Sequence, residues 1–328
     1  MRLPIIATVM FSILCGTVAG TRGSACHRSP HRPLFVWAEW PEIEAPEEWA
    51  LYFQTLLGFV SGNCGNFLIP KIVMRVTHPT WDGLFTVSTA SAFYTEFLTK
   101  LPAHVQLRLY PYMHTEKAAK RWADYRPHGR PLQSVFEYTN EWNTLLAQEG
   151  SPVRITGIVV DGEERHNFEA EQPRVTAYKR TYGIPRFAVA IGFDAHSHRS
   201  FYPLADEFYM EMYDFYDVRY DEKPPRLVEL HHRDRPHTAM DKLHTKSLFP
   251  FIESYRDPRM HFMWSVQAKS KLDCIFPLEG TCGSKDDFGW FTATDFNSFL
   301  GLVQEQYPEL RGRSHGIFQF NFVPPSWL

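Results

Sequence analysis

Eight short apolar runs recur along the chain, most of them separated by segments with helical spacing, and this alternation constrains the fold more than any other feature of the 328 residues. The runs fall near 34–38, 71–77, 105–110, 155–161, 187–193, 208–213, 261–267 and 316–322. Between them, "PEEWALYFQTLLGFV" sets Trp49, Phe53, Leu56 and Leu57 near helical spacing, and "LQSVFEYTNEWNTLLAQEG" and "TKSLFPFIESYRD" are further helix candidates. A run such as "ITGIVV", apolar without interruption and only a few residues long, is the habit of a strand buried on both faces, as in parallel sheets. Eight strand and helix units predict an α/β fold, a closed (β/α)8 barrel in one domain over 21–328. Its irregular joint is between strands five and six, where "AHSHRSFYPLADE" is too short and polar for an ordinary barrel helix. A doubly wound open sheet is the alternative.

A hydrophobic content of 44% is enough to fill such a core. The formal net charge of −3 offers no basic excess to track a phosphate backbone, so no nucleic-acid partner is expected. The first twenty residues, "MRLPIIATVMFSILCGTVAG", set an Arg before an apolar run that ends in small residues, the pattern of a signal peptide cleaved near Ala19 or Gly20. The expected mature chain is exported, soluble and free of the membrane once that segment is removed. It keeps Cys26, Cys64, Cys274 and Cys282, an even number in an oxidising route. Four cysteines allow three pairings; the short loop "CIFPLEGTC" favours Cys274 with Cys282, leaving Cys26 with Cys64.

The fourth run ends in acid: Asp161, Glu163 and Glu164 fall within four positions. The carboxyl end of a barrel strand is where barrel enzymes keep their chemistry. If the strand continues, Asp161 and Glu163 share a face roughly 6.5–7 Å apart along the backbone, while Glu164 points elsewhere. Carboxylates that close raise one pKa, so that a proton is held near neutrality and a general acid becomes available. A solvated strand end whose acids cap the next helix fits the same spacing.

"TGIVVDGE" resembles the fourth-strand signature of the family 18 glycoside hydrolases, D-G-x-D-x-D-x-E. Aligned on Gly157, Asp161 takes the last Asp and Glu163 the catalytic acid, whereas Thr156 and Val159 stand where the pattern has its other two acids. "MEMYDFYD" resembles the sixth-strand M-x-Y-D-F of the same family through Tyr213, Asp214 and Phe215, with Glu211 in place of the Met. "GIFQFNF" stands where the last strand carries a Trp, and Phe320 occupies that place. The third-strand S-x-G-G pattern is absent, and "LRLYPYM" stands there instead.

The resemblance implies a barrel glycosidase acting on β-linked N-acetylglucosamine saccharides by substrate-assisted catalysis, without a cofactor. Glu163 would be the acid, Asp161 would orient the acetamide, and Tyr213 would hold its carbonyl. Asp214, Glu211 and Phe320 would be substrate-binding. Trp37 and Trp264 are candidates for stacking on sugar faces, as are Trp40, Tyr110 and Tyr112, with barrel packing the other role open to each. The two missing acids keep a second class open, a sugar-binding barrel without catalysis. "FDAHSHR" and "ELHHRDRPH" contain the zinc-ligand types Asp194, His196, His198, His231 and His232. Metal-dependent barrel hydrolases, however, carry H-x-H on the first strand, where this chain has "FVWAEW", so polar loop histidines are the expectation and no metal site is.

Overall fold

The computed structural model describes residues 33–38, 50, 52–54, 56–57, 68–76, 92–191, 203–212, 216–219, 226–229, 256–265, 300–301, 304–305 and 307–318; at 33–34, 68–70, 163–165, 216–219, 226–229, 265 and 317–318 the backbone alone is described. Eight parallel strands close into a barrel. They are β1 (Pro33–Ala38), β2 (Leu68–Val76), β3 (Gln106–Pro111), β4 (Ile155–Asp161), β5 (Arg186–Ile191), β6 (Glu207–Glu211), β9 (Met260–Ser265) and β10 (Ser314–Phe318), ordered around the ring as in the chain, with β10 returning to β1. Each is one of the eight runs expected from the sequence, and the fold is the (β/α)8 barrel. Between β6 and β9 the chain forms an antiparallel pair, β7 (Tyr216–Arg219) with β8 (Arg226–Glu229), which the alternation of runs does not signal. The irregular joint expected between strands five and six lies mostly outside the described residues.

Period-two alternation divides the strand residues between two cores. Phe35, Trp37, Val73, Tyr110, Val159, Ala188, Ala190, Tyr209 and Met263 fill the lumen. Their neighbours, such as Val36, Ile72, Leu109, Ile158, Val160, Phe187, Phe208, Phe262 and Trp264, face the surrounding helices. A bulge in β4 breaks its alternation: Leu107 pairs with Ile155 but Arg108 pairs with Gly157. The extra residue, Thr156, lets Ile155 and Ile158 both face outward while Gly157, Val159 and Asp161 face in.

Three helices brace the strands that carry the acidic end. In α1 (Glu116–Asp124), Thr115 caps the first turn by accepting from the Ala118 amide at 3.0 Å. Helix α2 (Pro131–Gln148) opens with Pro at its first turn, and the buried carboxylate of Glu171 accepts from the Leu132 and Gln133 amides, both at 2.9 Å. Asn143 on α2 bonds the backbone N–H and C=O of Ile155 at 2.8 and 2.9 Å, which fixes where β4 begins. Helix α3 (Val175–Tyr182) stops at Gly183, whose φ of 67° suits a residue without Cβ.

The lumen floor, at the amino ends of the strands, is ionic. Glu207 accepts from Arg108 Nε at 3.1 Å and Nη2 at 3.0 Å, from Lys71 Nζ at 2.8 Å and from the Tyr209 hydroxyl at 3.1 Å. Lys71 also meets His261 Nε2 at 3.0 Å, and Arg108 donates to Gln106 and to Thr156. Burial alone would push the Glu207 carboxyl up, but the hydrogen bonds and charges of Arg108 and Lys71 outweigh it and hold the group well below the usual carboxylate range. Burial lowers Lys71, and burial together with the charge of Lys71 drives His261 down to about 3. Gly157 makes room for this arrangement: a Cβ there would stand 2.5 Å from Arg108 Cδ and 2.8 Å from Arg186 Cβ.

Candidate functional site

At the other end of the lumen the strands deliver side chains to the carboxyl-end mouth. Asp161 is the last residue of β4 and faces inward, as its position in the run predicts. The Tyr110 hydroxyl, from the end of β3, donates to Asp161 Oδ2 at 3.2 Å. Beyond β3, His114 brings Nε2 to 3.1 Å from the Tyr110 oxygen and 3.5 Å from Asp161 Oδ2. The Asp161 side chain is 11% exposed and that of His114 39%, so the cluster runs from a buried carboxylate to a solvent-accessible imidazole. Tyr112 packs its ring 5.2 Å from His114 and receives the Arg75 guanidinium 4.3 Å over its face.

Glu211, the last residue of β6, shares the inward parity of Glu207 and Tyr209 and is half-buried at the same mouth. Trp37, near the end of β1, reaches the mouth too, but is only 3% exposed; its ring lies 4.9 Å from Tyr110 and 5.9 Å from Tyr209. It is a packed wall in this structure, not an open platform.

Two expectations change. The strand ends at Asp161 and the chain turns at once into a 3-10 helix, Gly162–Asn167, so Glu163 follows Asp161 on a turn and the period-two argument for a shared strand face does not apply. Trp264 does not join the mouth: it lies on the helix-facing side of β9, 1% exposed, and donates Nε1–H to His315 Nδ1 at 3.0 Å. Its parity in the strand, opposite to Met263 in the lumen, sets that orientation.

The side chain of Glu163, and Tyr213, Asp214, Phe320, Trp40, Cys26, Cys64, Cys274 and Cys282, lie outside the described residues, as do Asp194, His196, His198, His231 and His232. Among the described residues no group of three or more His, Cys, Asp or Glu could hold a metal ion. No described helix is long and apolar enough to cross a membrane.

His114 and the floor residues Lys71, Arg108, Glu207 and His261 are not among the residues the sequence singles out. A signal exists in "VQLRLYPYMHTE", where Gln106, Arg108, Tyr110, Tyr112 and His114 alternate with apolar residues and so mark one face of β3 and its extension.

No protein-family model matches the chain, and no curated protein matches it. Among solved structures, a family GH18 chitinase from Cycas revoluta, in complex with allosamidin, superposes with a TM-score of 0.50 at 11% identity, covering 88% of this chain and 95% of that one. A Group II chitinase catalytic domain from Ostrinia furnacalis in complex with a chitooligosaccharide reaches 0.41 at 10% identity over 71% of this chain and 64% of that one. The spore cortex-lytic enzyme SleL of Bacillus cereus reaches 0.42 at 8% over 94% and 74%. The first likeness establishes a fold shared with a glycoside hydrolase; the other two are too distant to carry an argument.

Proposed function

We propose that the chain is an exported glycosidase that cleaves β-linked N-acetylglucosamine saccharides, of the chitin type or the N-glycan core, through the substrate's own acetamide. The observation that supports this best is Asp161: an inward carboxylate at the carboxyl end of the fourth strand, hydrogen-bonded and partly reachable, with Glu163 two residues on. In this reading Glu163 gives its proton to the glycosidic oxygen as the bond from that oxygen to the anomeric carbon breaks. The acetamide carbonyl oxygen attacks the same carbon, forming a cyclic oxazolinium ion whose positive charge Asp161 offsets. Water then opens the ring and returns a proton to Glu163. Tyr213 would hold the acetamide carbonyl, with Asp214, Glu211 and Phe320 as saccharide contacts and Trp37 as the packed wall behind them. Residues 1–20 would be the signal peptide and 21–328 the catalytic barrel, stabilised by Cys274–Cys282 and Cys26–Cys64 disulfides; non-reducing peptide mapping that finds free thiols instead would remove the disulfides from the account.

The test is hydrolysis of a panel of N-acetylglucosamine oligosaccharides with binding measured alongside. Glu163→Gln should lower turnover by roughly 10²–10⁴-fold while saccharide binding persists. A substrate with a leaving group able to depart unprotonated should rescue that variant but not Asp161→Asn. Equal cleavage of sugars lacking the N-acetyl group would reject acetamide participation. Binding without any cleavage would favour the sugar-binding reading, which the apolar Val159 and the neutral Thr156 at two otherwise acidic positions also favour.

A further inference from the structure

We infer that His114, Tyr110 and Asp161 form a directed hydrogen-bond relay in which Tyr110 and His114 are positioning residues for the Asp161 carboxylate; this rests on the glycosidase reading above only for its catalytic consequence. Two contacts fix the direction. The phenol of Tyr110 has one proton, and that proton goes to Asp161 Oδ2 at 3.2 Å. The 3.1 Å contact between the same phenol oxygen and His114 Nε2 therefore has the imidazole as donor, so His114 carries its proton on Nε2. The 3.5 Å approach of Nε2 to Asp161 Oδ2 adds a second positive edge to the same oxygen.

The partners come from β3 because β4 cannot supply them. Val159, one inward position before Asp161, is apolar and fully buried in the lumen cluster, and Ala190 lies beside Asp161 on β5. Among the described residues, Asp161 is approached by a donor chain from β3 and its extension, and the outer end of that chain meets solvent. That arrangement fixes the orientation of the carboxylate by which a positive intermediate would be stabilised, and gives its protons a route out of the lumen. Arg75, over Tyr112, and the Tyr112 ring against His114 hold the imidazole end in place.

The test combines a spectroscopic signature with kinetics on the full chain. In the ¹⁵N spectrum of the wild type, the neutral His114 ring, assigned by loss of its signals in His114→Gln, should be the Nε2–H tautomer, and Tyr110→Phe should shift it toward a mixture. With an N-acetylglucosamine oligosaccharide as substrate, Tyr110→Phe should lower kcat roughly 10- to 100-fold with KM nearly unchanged. His114→Ala should lower it less, His114→Gln, whose amide keeps a donor at similar reach, should recover most of the loss, and the Tyr110→Phe, His114→Ala pair should be no slower than Tyr110→Phe alone. An Nδ1–H tautomer in the wild type, or wild-type kcat in Tyr110→Phe, overturns the relay. If Tyr110→Phe does not fold, the contrast between His114→Ala and His114→Gln decides. If the wild type cleaves none of these saccharides, the glycosidase reading fails, and the tautomer still decides the relay by itself.

Discussion

Glu207 and Asp161 are both inward-facing carboxylates that accept from a tyrosine hydroxyl, and they stand at opposite ends of one lumen. Glu207 is surrounded by donors: a two-pronged Arg108 that is 1% exposed, Lys71 and Tyr209, with His261 beyond. Asp161 has Tyr110 and the half-exposed His114 on one side. A carboxylate saturated by rigid buried partners is a fixture of the fold, since any change of its charge is opposed from every direction. One at the mouth, whose partner chain ends in a solvent-accessible imidazole, can respond to a substrate. The same chemical group is therefore structural at the floor and available at the mouth.

The largest predicted effect at the floor comes from separating the pair. Arg108→Ala leaves Glu207 buried with Lys71 and Tyr209 and should destabilise the chain by roughly 3–5 kcal/mol in urea unfolding, with turnover per folded molecule kept. Loss of turnover at retained stability would reverse the assignment of the two ends.

Acid should act on the floor next. The folded His261 resists its proton down to about 3 whereas the unfolded chain takes it near 6.5, so stability falls as pH drops from about 6.5 toward 3. Glu207, held below its ordinary 4.5 in the fold, adds loss in the same direction from about 4.5 downward. Melting temperature followed from pH 7.5 to 4 should decline, and His261→Gln should flatten the part between about 6.5 and 4.5; an unchanged slope in that variant would place the sensitivity elsewhere.

Smaller effects sharpen the comparison. Gly157→Ala presses a Cβ onto Arg108, which is pinned by Glu207 and cannot swing away, and should cost roughly 1–3 kcal/mol. Trp264→Phe, on the helix-facing side, should leave saccharide affinity within about twofold while the buried His315 Nδ1 loses the indole donor, a loss of roughly 1–3 kcal/mol seen only in unfolding. A weakened saccharide affinity would return Trp264 to the mouth.

The barrel was legible because strands buried on both faces must be apolar runs, and those runs match β1 to β6, β9 and β10 to within a few residues at their ends. Asp161 and Glu211 were legible through parity and their place at strand ends. Helix α1 was not, because "EKAAKRWAD" buries only Ala118, Ala119 and Trp122 and so shows little apolar period. The floor was hidden for a related reason: Lys71, Glu207 and His261 stand at or near the starts of apolar runs, where a charge reads as a solvated strand end, and only closure of the ring brings them together. Trp264 was misjudged by residue type, although counting from Met263 would have turned it outward.

The most direct measurement is a side-by-side determination of unfolding free energy and turnover on an N-acetylglucosamine oligosaccharide for Asp161→Asn and Glu207→Gln. The account predicts that Asp161→Asn loses roughly 10²–10³-fold in turnover and unfolds close to the wild type, while Glu207→Gln is the less stable and turns over normally once folded. Wild-type turnover in Asp161→Asn, or no turnover in the wild type itself, would contradict it.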